Sequence, residues 1–537
     1  MKNYINLPLY NSFYTDYIHL HPQTEPFLHP LKKESIPDLA RSISAGTAHY
    51  LEMKQILASQ NADLDSEKAH FYRKKLAEPD TLILITGQQL GFFASPLYTI
   101  YKIITTIKLA EHLNQISDTP TYVPVFWLES EDHDFKEINH VGIMDKSFHA
   151  RRITYGGTDR GKTSLRHYQI EPSIDPFLNE IGDSLFETEF TQTIFEQIKA
   201  NYYAGNDWID AIRGYLKVLF KKQGILFFQP GDSSIKQLSV NFFDRLLSQN
   251  ISLAAAFTEG SNQLRAAGYH NQVTDIPDKT FIHFEVEDKQ RAHVYRRDKE
   301  FYLKDTGREF SENSARQFIE EDPQRVSTSV VSRPLLQSWL LPVAAYVAGP
   351  AEVAYWAQLS KMFAAFDLAM PVVYPRITAT VLEPKILRHL NKHSIGIDAL
   401  QPKKEQFISD YFQTGASGGK KDPLNKLKDL LAENAKEIEN YLKSLDPTLV
   451  DAADKTFGRI DQAVNNLESR VINAKKQKES QLTDHLAQIH AAFFPNEMPQ
   501  ERFLTIVYFL NKYGMDFMDQ LFSNLEINQF EHQVFSL

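Results

Sequence analysis

Four polar clusters in this chain hold residue types that could do chemistry. Thr86-Gly87-Gln88-Gln89 sets two amides, which both donate and accept hydrogen bonds, beside a glycine. Gly87 and Gly91 let the backbone turn tightly there. Tyr98 and Lys102 follow within a turn or two of a helix that Pro96 is suited to open, and such a helix would aim free N–H groups at an anionic ligand. The second cluster, Glu129-Ser130-Glu131-Asp132-His133-Asp134, crowds four carboxylates around one imidazole. Carboxylates this close repel unless a cation, a hydrogen-bond donor or protonation relieves them. That suits magnesium, a substrate ammonium, or proton removal by His133 or Asp134 with Asp132 beside them. The competing reading is a solvated acidic loop. The third cluster is Gln229-Pro230-Gly231-Asp232, and the fourth is Pro375-Arg376. Arg376 could clamp a carboxylate or phosphate with two parallel hydrogen bonds, and Lys102 and Arg333 could add positive charge. Alternatively, each of these cations pairs with the acidic cluster. Glu352 sits in the first turn of a helix that restarts after Gly349-Pro350.

Each cluster ends an apolar run: Leu82–Ile85, Val123–Leu128, Gly224–Phe228 and Pro371–Tyr374. Runs without alternation suit strands covered on both faces of a parallel sheet. A doubly wound fold would bring all four clusters to the rim where such sheets bind ligands. The segment 335–366 reads as an apolar helical stretch broken at Gly349-Pro350. Residues 145–330 mix short alternating segments with helices, which suggests an α+β insertion.

Gly156–Thr163, GGTDRGKT, matches the phosphate-cradling P-loop pattern letter for letter. The physics requires a buried strand before the loop and a helix after it. Arg151–Tyr155 is polar and short, and Ser164–Ile170 resembles an exposed strand, so the context predicts a hairpin with a glycine turn. His283 and His293 lie in alternating segments without metal-ligand spacing and read as structural.

Composition narrows the function. The 537 residues are too many for one simple core and call for two or three domains. A net charge of −10 argues against general nucleic-acid binding. With no cysteine in the chain, disulfides, Cys-ligated metal and a thiol nucleophile are excluded. No run approaches the ~20 apolar residues of a membrane helix, and the N-terminus lacks a secretory core, so a cytoplasmic protein is expected. Beyond Lys385 the chain turns rich in Lys, Glu, Leu and Ala, with a flexible break expected at Gly415–Asp422. Leu427, Leu431, Ile438, Leu442, Leu445 and Leu449, then Ile460, Val464, Leu467 and Val471, follow heptad-like steps. Two long helices forming a hairpin, an oligomerisation arm or both are expected over 386–490, flanked by a core at 1–385 and a segment at 491–537 packing back on it.

Taken together, TGQQLGFFASPLYTIYK, PVFWLESEDHDF, SRPLLQ, LPVAAYVAGPAEVAYWAQL and MPVVYPR resemble the bacillithiol-biosynthesis cysteine-adding enzymes, the BshC family. Leu90 stands where that family usually has Pro, Ala351 where it has Gly, and Ala94-Ser95 where it has paired glycines. The resemblance implies a Rossmann-like core related to class I aminoacyl-tRNA synthetases and a coiled-coil arm that pairs two copies as a homodimer. It implies a ligase that joins the carboxyl of cysteine to the amine of glucosaminyl-malate through an amide bond. Such a reaction normally activates the carboxyl, which would bring in ATP with magnesium. The chain nevertheless lacks the H-x-G-H and K-M-S-K-S signatures of those synthetases. In this reading Gly87, Gln88 and Gln89 hold a phosphate or the activated carboxyl, with Tyr98, Glu352 and Asp232 on the same rim. Lys102 and Arg376 offset negative charge, and Glu131 through Asp134 receive the amine. A P-loop-type nucleotide hydrolase and a non-enzymatic dimeric scaffold are the alternatives.

Overall fold

The computed structural model describes residues 2–5, 10–32, 34–116, 119–274, 278–413 and 423–537. Apolar runs with no alternation become strands covered on both faces here. They form β1 (Leu82–Gln88), β2 (Tyr122–Leu128), β3 (Leu226–Phe228), β4 (Val343–Ala348) and β5 (Val372–Pro375). Every residue of β2 and β4 is buried. The sheet is wholly parallel, in the order β5-β4-β1-β2-β3. β1 pairs with β2 over seven residues, from Leu82 opposite Tyr122 to Gln88 opposite Leu128. The winding reverses between β1 and β4, which opens a crevice at their carboxyl ends. This is the Rossmann-like α/β core the sequence predicts, with one correction. The segment 335–366 is a helix (Arg333–Leu340), then β4, then a second helix (Pro350–Trp356), so a central strand stands where a helical stretch is expected.

Between β3 and β4 the chain builds a second, antiparallel sheet from Lys279–Glu285, Arg291–Arg297, Glu300–Leu303, Glu309–Ser311 and Val326–Thr328. Its edge strand Val326–Thr328 leads back to the core through Arg333–Leu340. The P-loop-like stretch has the wrong context, and the expected hairpin across it is also absent. Ala150–Thr154 pairs instead with the preceding His140–Met144, and a three-residue turn at Leu165–His167 follows. The groups that would cradle phosphate are committed: Lys162 pairs with Asp305 at 2.5 Å, and Thr163 accepts from Gln290 at 2.8 Å.

Helices Pro423–Leu445 and Val450–Lys478 run as an antiparallel hairpin joined at Pro447–Leu449, with Lys428 bonded to Glu468 at 2.6 Å. The heptad seam is largely open. Val464 is buried and Leu431, Leu442 and Val471 are half-buried, whereas Leu427, Ile438, Leu445, Leu449, Ile460 and Leu467 are exposed, as are Leu430 and Tyr441 beside them. The expected break at Gly415–Asp422 lies outside the described residues. The base of the arm has its own apolar cluster, in which Ile386, Leu390, Phe407, Leu486, Ile489 and Phe493 meet Val534.

The last segment returns to the sheet. Phe503, Leu504, Ile506 and Phe509 are buried in the core that holds β1 and β2, and His532–Ser536 pairs with both Lys2–Ile5 and Ala379–Leu382. A buried ion pair fixes this return. Arg376, just past β5, donates to both carboxylate oxygens of Glu501 at 2.8 and 2.7 Å, with 2% and 0% of the two side chains exposed. Removing one partner of such a pair strands the other charge in the interior. Glu501→Gln is therefore expected to cost about 3–5 kcal/mol, read as a lower denaturant midpoint at unchanged slope. A loss below about 1 kcal/mol would show that the pair does not hold the segment in place.

Candidate active site

A cavity of about 450 Å³ opens where the winding reverses, a size typical of small-molecule sites. One wall is the turn after β1, the opposite wall is the start of the helix after β4, and the insertion's antiparallel sheet forms a third side. Gly87, Gln88, Gln89, Tyr98, Lys102, Asp132, His133, Glu352 and Arg376 all line it, as the sequence places them. Gly87 suits the close packing here, since a Cβ would stand 3.2 Å from both the Cβ and the carbonyl oxygen of Trp127.

Several of these residues do different work from that expected. The Lys102 ammonium spends its three protons on protein: the Gly87 carbonyl at 2.7 Å, Gln88 Oε1 at 2.9 Å and Glu352 Oε2 at 2.5 Å. Burial pulls its pKa down to about 8 against the opposing Glu352 carboxylate. Glu352 also accepts from the Gly349 N–H at 2.7 Å and the Tyr346 hydroxyl at 2.8 Å. Arg376 has its fork filled by Glu501 and stacks on the Tyr98 ring at 5.3 Å. The helix Leu97–Ile116 does not present its first N–H to a ligand, because Leu97 donates to the Leu504 carbonyl at 2.9 Å.

Three predicted residues lie outside the cavity. Glu131 turns inward to a buried pair with Lys236. Asp134 caps the short helix Phe135–Ile138 by accepting from the Glu137 N–H at 3.2 Å. Asp232 caps Ser233–Leu238 by accepting from the Ser234 N–H at 2.8 Å. The repulsion expected among the clustered carboxylates is thus relieved separately, with Glu129 paired to Arg333 at 2.9 Å. Burial pushes Asp132 up, but the His133 N–H and the nearby Arg291 and Arg333 charges outweigh it and hold its carboxyl below the ordinary range.

The cavity also contains residues the sequence reading passed over. Lys279, His283, Arg291 and His293 come from the insertion, Glu137 from the short helix Phe135–Ile138 after β2, and Arg502 from the C-terminal segment. His283 and His293, read as structural, sit opposite each other on paired strands in the cavity wall. Their alternation with apolar Ile282, Phe284 and Val294 was the available signal, since it gives the sheet a polar face. Among the described residues, Lys279, Arg291 and Arg502 have no carboxylate within ion-pairing distance. Arg291 donates instead to Ser327 Oγ at 2.9 Å, to the Thr328 carbonyl and to His133 Nδ1 at 3.4 Å. No three His, Asp or Glu side chains among the described residues converge to hold a metal ion. No described helix is long and apolar enough to cross a membrane.

The arrangement can therefore bind anionic groups through the three unpaired cations and a cationic or amine group through Asp132 and Glu137. The comparisons with known proteins name the family. Residues 1–377 match the family model for the bacillithiol biosynthesis BshC N-terminal Rossmann-like domain, and residues 379–537 match its C-terminal coiled-coil domain. The chain belongs to the BshC family. Relatives named "Putative cysteine ligase BshC" include one from Salinibacter ruber, 31% identical, covering 87% of this chain and 85% of the relative. One from Anoxybacillus flavithermus is 30% identical over 96% of both chains, and one from Bacillus licheniformis is 29% identical over 95% of both.

In this BshC chain Glu137 is the cavity group most open to a direct titration. It accepts from Gln89 Nε2 at 2.7 Å, and burial, then the charges of Asp132 and Asp134, push its carboxyl up to about 7. Its side-chain carboxyl carbon is expected to titrate in an NMR experiment with a midpoint near pH 7, lost in Glu137→Gln. A midpoint below about 5, as for an ordinary exposed glutamate, would show that neither burial nor its two neighbours act on it.

Proposed function

We propose that this cavity joins the carboxyl of cysteine to the amine of glucosaminyl-malate by an amide bond, forming bacillithiol in the cytoplasm. The observation that carries the reading is the pairing of opposite demands in one switch-point cavity of a BshC-family chain. Among the described residues, three cations without carboxylate partners share the cavity with two carboxylates, Asp132 and Glu137, that pair with no lysine or arginine. The malyl carboxylates and the activated carboxyl need the cations. The amine needs the carboxylates while it is charged, and a proton acceptor once it attacks.

Joining a free carboxylate to an amine is uphill in water, so the carboxyl must be activated, and ATP with magnesium is the proposed cofactor. Its phosphates fit the chemistry of Lys279, Arg291 and Arg502, and the magnesium would arrive with the nucleotide. When bound, the nucleotide would convert the carboxylate oxygen into a leaving group. The core's own residues act around it. Gln88 and Gln89 offer amides at the end of β1, and Lys102 holds Gly87, Gln88 and Glu352 in register rather than touching ligand. His133 orders the Asp132 loop, with its backbone N–H on Asp132 Oδ1 at 2.7 Å.

The test is mass spectrometry on the purified chain given cysteine and glucosaminyl-malate, with and without ATP and magnesium. The expected result is product only with nucleotide, accompanied by AMP or ADP. Product without any nucleotide would reject the activation chemistry, and no product under any condition would reject the ligase reading.

The open seam of the arm supports a homodimer, because eight large apolar side chains exposed among the described residues of one hairpin need a covering surface. Sedimentation is expected to give twice the chain mass for the wild type and one chain mass for Ile438→Glu combined with Leu445→Glu. A wild-type monomer at micromolar concentration would overturn the pairing.

A further inference from the structure

Hydrogen-bond direction fixes the protons on the three cavity imidazoles. A carbonyl only accepts, so His293 Nε2, 2.6 Å from the Thr280 carbonyl, carries a proton. Burial, with Lys279 next, pulls the His293 pKa down to about 3, so the ring is neutral and its Nδ1 is bare. His283 Nε2 lies 2.8 Å from that Nδ1 and must therefore be the donor. A neutral His283 has one lone pair left, on Nδ1, and this atom is buried with no hydrogen-bond partner among the described residues. Burial, then the Arg291 charge, holds its pKa well below the ordinary value, and His293, His133 and Lys279 also face it. The strand on its other side contributes Ser327, opposite it in register, and no ionisable group there. His133 is in the reverse position. A guanidinium only donates, so the Arg291 contact occupies His133 Nδ1 and leaves that ring an N–H to offer and no lone pair.

We propose that His283 is a catalytic residue of the ligase reaction, its Nδ1 taking the proton of the attacking amine. This rests on the ligase reading above. The amine nitrogen forms its bond to the carboxyl carbon, and the bond from that carbon to the leaving oxygen breaks with its electron pair staying on the oxygen. The amine's proton moves to Nδ1. The resulting imidazolium keeps its Nε2 proton on His293 Nδ1, and His293 keeps its own on the Thr280 carbonyl, so the pair takes up charge without rearranging. Proton acceptance must come from a group with a vacant lone pair, and the amine is to reach the buried Nδ1 from the cavity side of the His283 ring. Of the three cavity imidazoles, His283 alone has such a lone pair. His293 acts through His283 and is a positioning residue.

The test measures bacillithiol formation by the full-length chain carrying His283→Gln or His283→Ala, with folding checked by thermal unfolding. The expected result is a loss of roughly 10²–10⁴-fold in kcat with little change in KM for glucosaminyl-malate. Added imidazole should restore part of the His283→Ala rate, which a structural role would not allow. A folded variant with kcat within threefold of wild type, or a loss that appears wholly in KM, overturns His283 and leaves the ligase reading standing. No product from the wild type overturns both. If neither variant folds, nitrogen NMR on histidine-labelled wild type decides. A bare Nδ1 on His283 that shifts when glucosaminyl-malate is added supports the proposal, and a protonated or unresponsive Nδ1 overturns it.

Discussion

The Lys102 ammonium is the fixed point of this site. It is buried to within 1% of full exclusion, and a buried charge persists only when its protons are met. Its three acceptors lie on the two sides of the switch point: the Gly87 carbonyl and the Gln88 amide at the end of β1, and the Glu352 carboxylate after β4. Glu352 is in turn satisfied by the Gly349 N–H and the Tyr346 hydroxyl, so the network spans β1, β4 and the helices that follow them. Loosening any member leaves an ion without its partner, which makes the floor of the cavity rigid at the point where both walls meet.

Because the core spends its cations on itself, the cations left for a ligand come from elsewhere. Lys102, Arg333 and Arg376 are all ion-paired, whereas Lys279 and Arg291 arrive on the inserted sheet and Arg502 on the C-terminal segment. The acidic loop after β2 has a matching division of labour. Glu129 and Glu131 dock the loop against Arg333 and Lys236, while Asp132 remains in the cavity wall. Arg166 and His167 add a second tie to the insertion through Glu285, at 2.7 and 2.8 Å. The site is thus complete only when core, insertion and terminal segment are all in place.

The sheet and the two nearest walls of the cavity were legible because they are local: a buried apolar strand followed by a polar turn can be read from a dozen residues. β4 was not, since a short apolar run between helical stretches has the same composition as a buried helix and no periodicity to separate them. Lys279, His283, Arg291, His293 and Arg502 were illegible for a different reason. Topology brings them to β1 from some 190 to 410 positions away, and no local pattern encodes that. Asp134 and Asp232 misled because an aspartate just before a short helix has a structural use that strand-end position hides. The spacing Asp134-x-x-Glu137 and the run Asp232-Ser233-Ser234 are capping signals that competed with the catalytic reading of Asp134 and the binding reading of Asp232.

Burial, rather than pairing, is the largest influence on every shifted group in the cavity. It lowers Lys102 to about 8 and His293 to about 3, and raises Glu137 to about 7. These three shifts favour the neutral form, the direction a water-poor cavity imposes, whereas Asp132 and Glu352 are held charged by the donors and cations around them. A ligand that displaced more water without bringing charge would push all three further and lose the electrostatic contacts the walls can make. A ligand carrying both an amine and carboxylates does the opposite, supplying a counter-charge to each wall as the water leaves. The protonation pattern therefore selects for substrates of mixed charge before any one hydrogen bond is considered.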